Sequence, residues 1–211
     1  MAPRPKQEEL KPTPCRGKKG QNDAEATMPD SPAARALLET FGHVMVINLP
    51  SRADRRRGIE AELRKAGLSL DHPRVHLFPA VRPDTLAGFP SIGAHGAFRS
   101  HMGVMQHMLV QGWDRVLVLE DDMGFAPGAV PRLPVLAGAL KGRDWRLLYG
   151  HPGDLPGETP PADADGIIAL PLELGLIQLH FLGLTAEAAR VLLPQLQAML
   201  TRPEGSPEGG P

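Results

Sequence analysis

Three consecutive acids, Glu120, Asp121 and Asp122, follow a short run of branched apolar residues that begins after Arg115. Such a run is typical of a strand buried on both faces, and open α/β sheets bind ligands outside the carboxyl ends of their strands. Adjacent carboxylates repel one another unless a cation or several donors neutralise them, and their oxygens suit Mg²⁺ or Mn²⁺. The pattern predicts a metal or phosphate site at this strand end; the alternative is a solvated acidic turn.

A second polar group follows the first predicted strand, at residues 43–49. It contains Asn48, Arg52, Asp54 and Arg55, where a helix is expected to begin. A strand-to-helix turn with free backbone N–H groups suits a nucleotide or a phosphate. In the alternative interpretation Asp54 is an acid of the first helical turn and the arginines lie on the exposed helix face.

Ser100 and His101 form a third candidate group, on a predicted helix over residues 97–110 that follows Gly93 and Gly96. A histidine on the inner side of a helix is commonly a core residue with satisfied hydrogen bonds. Its position directly after a serine and a glycine pair also suits a place beside a ligand.

Strands that alternate with helices indicate an α/β domain with a mostly parallel sheet and flanking helices. We expect a disordered Pro-rich extension over residues 1–40 that ends in a short helix from Ser31, one domain over residues 41–200 and a disordered tail over residues 201–211. The predicted strands cover residues 43–49, 74–81, 115–119, 145–149, 167–170 and 176–184, the predicted helices cover 52–65, 97–110 and 186–200, and residues 127–140 are predicted as mixed loop and weak helix.

Composition excludes several classes of function. The net charge of −1 produces no global field toward nucleic acid or membranes, and an aromatic content of 4% does not suit a base-stacking surface. Cys15 is the only cysteine, which excludes an intramolecular disulfide and a Cys-rich zinc site and fits a reducing compartment. With no long apolar stretch and no signal peptide, a cytoplasmic protein is predicted, at most peripheral to the inner face of a membrane.

The polar groups together resemble the motifs of glycosyltransferase family 25, the lipopolysaccharide-type and procollagen-type galactosyltransferases. Residues 44–56 match V-x-x-I-N-L-x-x-R-x-D-R-R, residues 78–81 match F-x-A-V and residues 96–101 match G-[CA]-x-x-S-H. Residues 119–122 match the strand ending L-E-D-D, and residues 180–193 are loosely similar to a later family segment. The resemblance covers roughly residues 43–200.

The resemblance implies a GT-A-like (Rossmann-like) fold and a metal-dependent glycosyltransferase. Its substrates would be a nucleotide-diphosphate sugar, expected to be a UDP-hexose such as UDP-galactose, and a saccharide or glycolipid acceptor in cell-surface polysaccharide assembly. Glu120, Asp121 and Asp122 would then hold a divalent ion, Mn²⁺ or Mg²⁺, on the donor diphosphate. The donor-binding residues implied by the same motifs are Asn48, Arg52, Asp54, Arg55, Ser100 and His101.

The catalytic base stays unknown: Asp163, Asp165 and Glu173 are candidates only because they lie downstream of the acids. The family continues past residue 200 with a further segment, whereas this chain ends at Pro211. A non-catalytic or truncated relative that keeps a nucleotide-binding pocket is therefore the alternative. An unrelated phosphotransfer enzyme is disfavoured because the chain lacks a Gly-x-x-x-x-Gly-Lys phosphate loop.

Overall fold

A computed structural model of the chain describes residues 30–151, 160–170, 179–203 and 206. Within these residues five helices surround a sheet of five strands. In chain order the elements are α1 (Pro32–Phe41), β1 (His43–Asn48), α2 (Ala53–Lys65), β2 (Val75–Pro79), α3 (Ile92–Gln111), β3 (Arg115–Glu120), α4 (Ala129–Leu140), β4 (Leu147–Tyr149), β5 (Phe181–Thr185) and α5 (Ala186–Met199).

The sheet has the strand order β2-β1-β3-β5-β4. Strand β1 is parallel to β2 and to β3, whereas β5 is antiparallel to both β3 and β4. The α/β class is confirmed, but the expectation of a mostly parallel sheet is wrong because the sheet is mixed. Buried strands of either direction share the same Val- and Leu-rich composition, so their composition does not report direction. The GT-A-like arrangement stays a prediction.

Side chains of each central strand alternate between two hydrophobic layers. Val44 and Val46 of β1 point into the layer covered by α1, α2 and α4. Met45 and Ile47 point into the layer covered by α3 and α5. With both faces covered, the central strands are buried, and their polar side chains are found at the strand ends.

Helix α1 is part of the core, although it falls within the segment that was assigned to the extension. Leu37 and Leu38 are buried in the layer beside α4. The Ser31 hydroxyl caps the helix by accepting from the Ala34 N–H, and donates to the Ala66 carbonyl at 2.7 Å. Within the described residues, Ser31 and α1 therefore belong to the packed domain rather than to an extension.

Several elements differ from their predicted limits. Helix α3 begins at Ile92, five residues earlier than expected, because Ser91 caps it and both glycines continue the helical backbone. Residues 129–140 form a complete helix rather than a weak one, and residues 167–170 form no strand. Of the strand predicted at 176–184, residues 176–178 lie outside the described residues, and β5 begins at Phe181. No described helix is both long enough and apolar enough to cross a membrane.

Candidate functional site

The three acids lie where β3 leaves the sheet. Glu120 is the last residue of the strand, and the Met123 N–H donates to its carbonyl at 3.1 Å to close a tight turn. Met123 is buried in the core, so it fixes the far end of this turn. Asp121 and Asp122 are thereby held at the carboxyl edge of the sheet, next to the end of β1 at Asn48.

Glu120 is held by a buried histidine of α3. His101 is 4% exposed, and its Nε2 atom lies 3.0 Å from Oε1 of Glu120. This hydrogen bond is the main reason that the pKa of Glu120 is lowered, against the opposing effect of burial. Glu120 is therefore ionised at neutral pH, and the imidazole donates its Nε2 proton to the carboxylate.

His180 joins the acids from the strand that runs in the opposite direction. The Glu120 N–H donates to the His180 carbonyl at 3.1 Å, so the residue before β5 lies beside the last residue of β3. The Nδ1 atom of His180 is 2.8 Å from Oε2 of Glu120 and 3.1 Å from Oδ1 of Asp122. This Nδ1 is buried and has no hydrogen bond of good geometry. One ligand atom from each of the three residues lies within 4.8 Å of the others.

Asp121 points away from this group, although it stands between its two acids in sequence. Its Oδ2 accepts from Nδ2 of Asn48 at 2.7 Å, and its Oδ1 accepts from Nη1 of Arg55 at 2.9 Å. The same Arg55 nitrogen donates to Oδ2 of Asp122 at 2.8 Å. The two carboxylates, with Asp121 as the main partner, raise the pKa of Arg55. Asp121 thus contacts Arg55, Glu120 contacts His101 and His180, and Asp122 contacts both Arg55 and His180.

A cleft of about 380 Å³ opens beside the acids. Its walls combine cations and acids with apolar groups, so it suits a ligand that is anionic at one end and apolar at the other. The lining residues are Ile47, Leu49, Arg52, Arg55, Ala80, Val81, Arg82, Ile92, Gly93, Gly96, Ala97, Ser100, Glu120, Asp121 and Asp122.

Ser100 and Gly96 bring α3 close to the residues that follow β2. The Ser100 hydroxyl accepts from the Val81 N–H at 2.9 Å and donates to the Gly96 carbonyl at 2.7 Å. A Cβ on Gly96 would lie 2.5 Å from the Val81 carbonyl oxygen, so only glycine permits this approach. Ser100 lines the cleft, but its hydroxyl proton is already donated to the protein.

Of the predicted donor-binding residues, Arg52, Arg55 and Ser100 line the cleft. Asn48 and His101 are buried behind it and hold Asp121 and Glu120. Asp54 is exposed and stands outside the cleft, in the first turn of α2. Its carboxylate forms a two-point ion pair with Arg52, which holds the pKa of Asp54 far below its usual range.

The candidate bases are not brought to the cleft. Asp163 and Asp165 both accept from Arg143 at 2.5 Å at the protein surface, and neither lines the cleft. Glu173 lies outside the described residues.

Residues of the site that were not predicted as candidates include His180, Arg82 and Gly93. His180 lies inside the strand predicted over residues 176–184 and begins the segment that is loosely similar to the family, and Arg82 is a lone arginine directly after the strand predicted over residues 74–81. Gly93 was noted only as an interruption at the start of a helix, but it lines the cleft from the first turn of α3.

Comparison with known proteins finds relatives in two insects. A glycosyltransferase 25 family member of Drosophila pseudoobscura pseudoobscura is 29% identical over 153 residues, which covers 61% of this chain and 24% of that protein. A glycosyltransferase 25 family member of Anopheles gambiae is 30% identical over 132 residues, 52% of this chain and 22% of that protein. The chain thus spans about a quarter of the length of these relatives. No family model matches the chain. The resemblance to glycosyltransferase family 25 that the motifs predicted is confirmed, over more than half of the chain, by these two relatives.

Proposed function

We propose that this chain is a metal-dependent glycosyltransferase that moves a hexose from a nucleotide-diphosphate sugar to a saccharide or glycolipid acceptor. The observation that carries the proposal is the convergence of Glu120, Asp122 and His180 at the rim of a cleft lined by arginines. The two insect relatives support a glycosyltransferase.

The residues at the strand end fit a divalent cation. One oxygen of Glu120 and one of Asp122 approach Nδ1 of His180 at 2.8 and 3.1 Å without hydrogen-bond geometry, so three electron-pair donors lie together. Carboxylate oxygens suit Mg²⁺ and Mn²⁺, and an imidazole nitrogen favours a transition metal such as Mn²⁺. We therefore assign the metal to Glu120, Asp122 and His180, so that His180 replaces Asp121 of the predicted ligand set.

The second oxygen of each carboxylate is held by another part of the protein. His101 binds Oε1 of Glu120 and Arg55 binds Oδ2 of Asp122, so the oxygens that face His180 are the free ones. Partners that orient metal ligands in this way typically change metal affinity by about 10- to 100-fold when they are removed. The donor set is thus oriented by α2 and α3 before any cation binds.

The proposed reaction needs stabilisation of negative charge on the leaving diphosphate. A divalent cation bound to the acids would neutralise charge on the diphosphate as the bond to the sugar breaks. Arg52, Arg55 and Arg82 line the same cleft and would bind the remaining phosphate oxygens. Arg82 has no ion-pair partner among the described residues, which suits an arginine reserved for a ligand.

The nucleoside of the donor would occupy the apolar part of the cleft, where Val81 of the β2 exit faces Ile92 and Ala97 of α3. The finer assignments rest on the family resemblance: UDP as the nucleotide, galactose as the sugar, Mn²⁺ as the ion and cell-surface polysaccharide as the product.

One observation favours a second candidate, a nucleotide-binding module without turnover. Transfer to an acceptor hydroxyl with inversion needs a carboxylate base. Both described candidates, Asp163 and Asp165, are engaged by Arg143 away from the cleft. In this candidate the cleft binds the nucleotide sugar, but no group removes the acceptor proton.

Release of nucleoside diphosphate from a panel of UDP-sugars, with Mn²⁺ and with EDTA, tests the proposal. We expect release with Mn²⁺ that EDTA abolishes and that Asp122→Ala loses. UDP binding without any release, with or without saccharide acceptors, would support the binding module instead. UDP binding that is unchanged in Asp122→Ala would show that the acids are only a surface turn.

A further inference from the structure

We propose that Asp121 is a positioning residue rather than a metal ligand, and that it aims Arg55 at the diphosphate of the donor. The inference rests on the proposed function, because it assigns separate tasks to the three consecutive acids of the same site. Glu120 and Asp122 serve the cation, and Asp121 serves the arginine.

Both oxygens of Asp121 are already used within the protein. Asn48 donates to one oxygen at 2.7 Å and Arg55 to the other at 2.9 Å. The Asp121 side chain is 10% exposed, against 41% for Asp122. The ligand atoms that lie within 4.8 Å of one another around His180 come from Glu120 and Asp122, and Asp121 is not part of this group.

Asn48 makes the orientation of Asp121 rigid. Its amide also donates to the Arg52 carbonyl at 3.2 Å, and its own oxygen accepts from Nε of Arg56 at 3.2 Å. Asn48 is 3% exposed, and these bonds fix its amide from both ends. Asp121 is thus tied to the turn between β1 and α2, which leads directly into the first turn of α2, where Arg55 lies.

Arg55 uses only one edge of its guanidinium for the acids. A single nitrogen, Nη1, donates to both Asp121 and Asp122, whereas Nε and Nη2 contact no acceptor among the described residues. The side chain is 39% exposed and lines the cleft. A planar guanidinium with two free nitrogens, Nε and Nη2, matches phosphate oxygens in a two-point contact.

The charges of the site agree with this division. Three carboxylates opposite one divalent cation would leave an excess negative charge where an anionic diphosphate must bind. The Asp121–Arg55 pair is neutral, so Glu120 and Asp122 alone balance the cation. Arg55 still presents N–H groups to the cleft, which makes its environment favourable to a phosphate.

Isosteric variants separate the two tasks. Mn²⁺ binding is measured alone by electron paramagnetic resonance, and UDP binding in saturating Mn²⁺ by calorimetry. We expect Asp122→Asn to weaken Mn²⁺ binding at least about tenfold. Asp121→Asn should weaken Mn²⁺ binding less than Asp122→Asn does, because both proposed metal-binding carboxylates stay in place, and it should weaken UDP binding in saturating Mn²⁺ about tenfold, because Arg55 is held less firmly.

Arg55→Lys should weaken UDP binding to a similar extent, and the double variant Asp121→Asn with Arg55→Lys should be little worse than either single variant, since both remove the same contact. Glu187→Gln is the matched control. It removes one carboxylate from an exposed ion pair with Arg146, outside the cleft, and should change neither measurement.

Three outcomes would overturn the inference. If Asp121→Asn loses Mn²⁺ binding as Asp122→Asn does, Asp121 is a metal ligand while the proposed function stands. If Asp121→Asn binds UDP like wild type, or if the two single effects add fully in the double variant, Asp121 does not act through Arg55. If wild type binds neither Mn²⁺ nor UDP, the proposed function fails and the inference fails with it.

Discussion

Gly93 offers a substitution whose effects on stability and on binding should have opposite signs. It lies in the first turn of α3 and lines the cleft. Its backbone is not in the left-handed region, and an added Cβ would meet only the Ser91 hydroxyl, at 3.6 Å. Neither backbone conformation nor packing therefore requires a glycine at this position. What the glycine does provide is open space in the cleft, because it has no side chain.

Helix geometry indicates which part of a donor Gly93 would flank. His101, which contacts Glu120, lies eight residues later on the same helix, a distance of about 12 Å at 1.5 Å per residue. A nucleotide whose diphosphate is held at Glu120 and Asp122 would therefore extend its nucleoside toward Gly93.

We predict that Gly93→Leu keeps the fold and loses nucleotide affinity. Replacing a helical glycine gains up to about 1 kcal/mol, which would raise Tm by about 2–4 °C for a domain of this size. The leucine would project into the space of the cleft, and forcing a ligand past such a side chain costs about 1–3 kcal/mol, roughly 5- to 150-fold in affinity. Mn²⁺ binding should not change.

Calorimetric titration of UDP in saturating Mn²⁺, together with a thermal melt, checks this prediction. Gly58→Leu is the matched control: Gly58 is also helical, its added Cβ would meet nothing within 4 Å, and it does not line the cleft. It should gain stability and bind UDP like wild type. Wild-type UDP affinity in a folded Gly93→Leu protein would refute the assignment of the nucleoside to this part of the cleft.

Three further predictions follow from single side chains. His180→Ala should weaken Mn²⁺ binding at least about tenfold by paramagnetic resonance; wild-type affinity would remove His180 from the proposed ligands. Gly96→Ala should destabilise the protein by about 1–3 kcal/mol in chemical denaturation, because its Cβ would lie 2.5 Å from the Val81 carbonyl oxygen. Gly138→Ala, whose Cβ would occupy open space in α4, should stabilise the protein. Equal effects of the two substitutions would contradict the close approach of Gly96 to Val81. Burial lowers the pKa of His107, so just below about pH 6.5 the unfolded chain binds more protons than the folded protein. The free energy of unfolding should therefore fall as pH drops through that range. If His107→Gln leaves the slope of the free energy of unfolding against pH unchanged, another group is responsible.

Much of the fold could be predicted because its signals are local. The short apolar runs of β1 and β3 and the capping threonine of α5 are visible in the sequence, and the structure has these elements close to their expected limits. The direction of β5 could not be predicted in this way. Strand direction depends on the path of the chain between β4 and β5, and composition carries no signal for that path.

Because strand direction could not be predicted, His180 was not predicted as a site residue. Because β5 is antiparallel to β3, the N-terminal end of β5 lies beside the C-terminal end of β3. This places His180 beside Glu120. In a parallel arrangement the start of β5 would lie at the opposite edge of the sheet. A mixed sheet is therefore what brings this histidine to the acids, and local pattern does not show it.

The separate roles of Glu120, Asp121 and Asp122 also could not be predicted from the sequence. Asp121 and Asp122 are neighbours of the same type and both accept from Arg55, and only the positions of Asn48 beside Asp121 and of His180 beside Asp122 separate them. Likewise, Asn48 and His101 were expected to contact the donor, whereas their hydrogen bonds hold Asp121 and Glu120.

The most direct test of a metal-dependent nucleotide site is the calorimetric titration of UDP into the wild-type chain with Mn²⁺ and, in a second sample, with EDTA. We predict that UDP binds in the presence of Mn²⁺ and that its affinity is at least about 100-fold weaker in EDTA, a difference of about 2.7 kcal/mol. Equal affinity in both samples, or no binding in either, would contradict it.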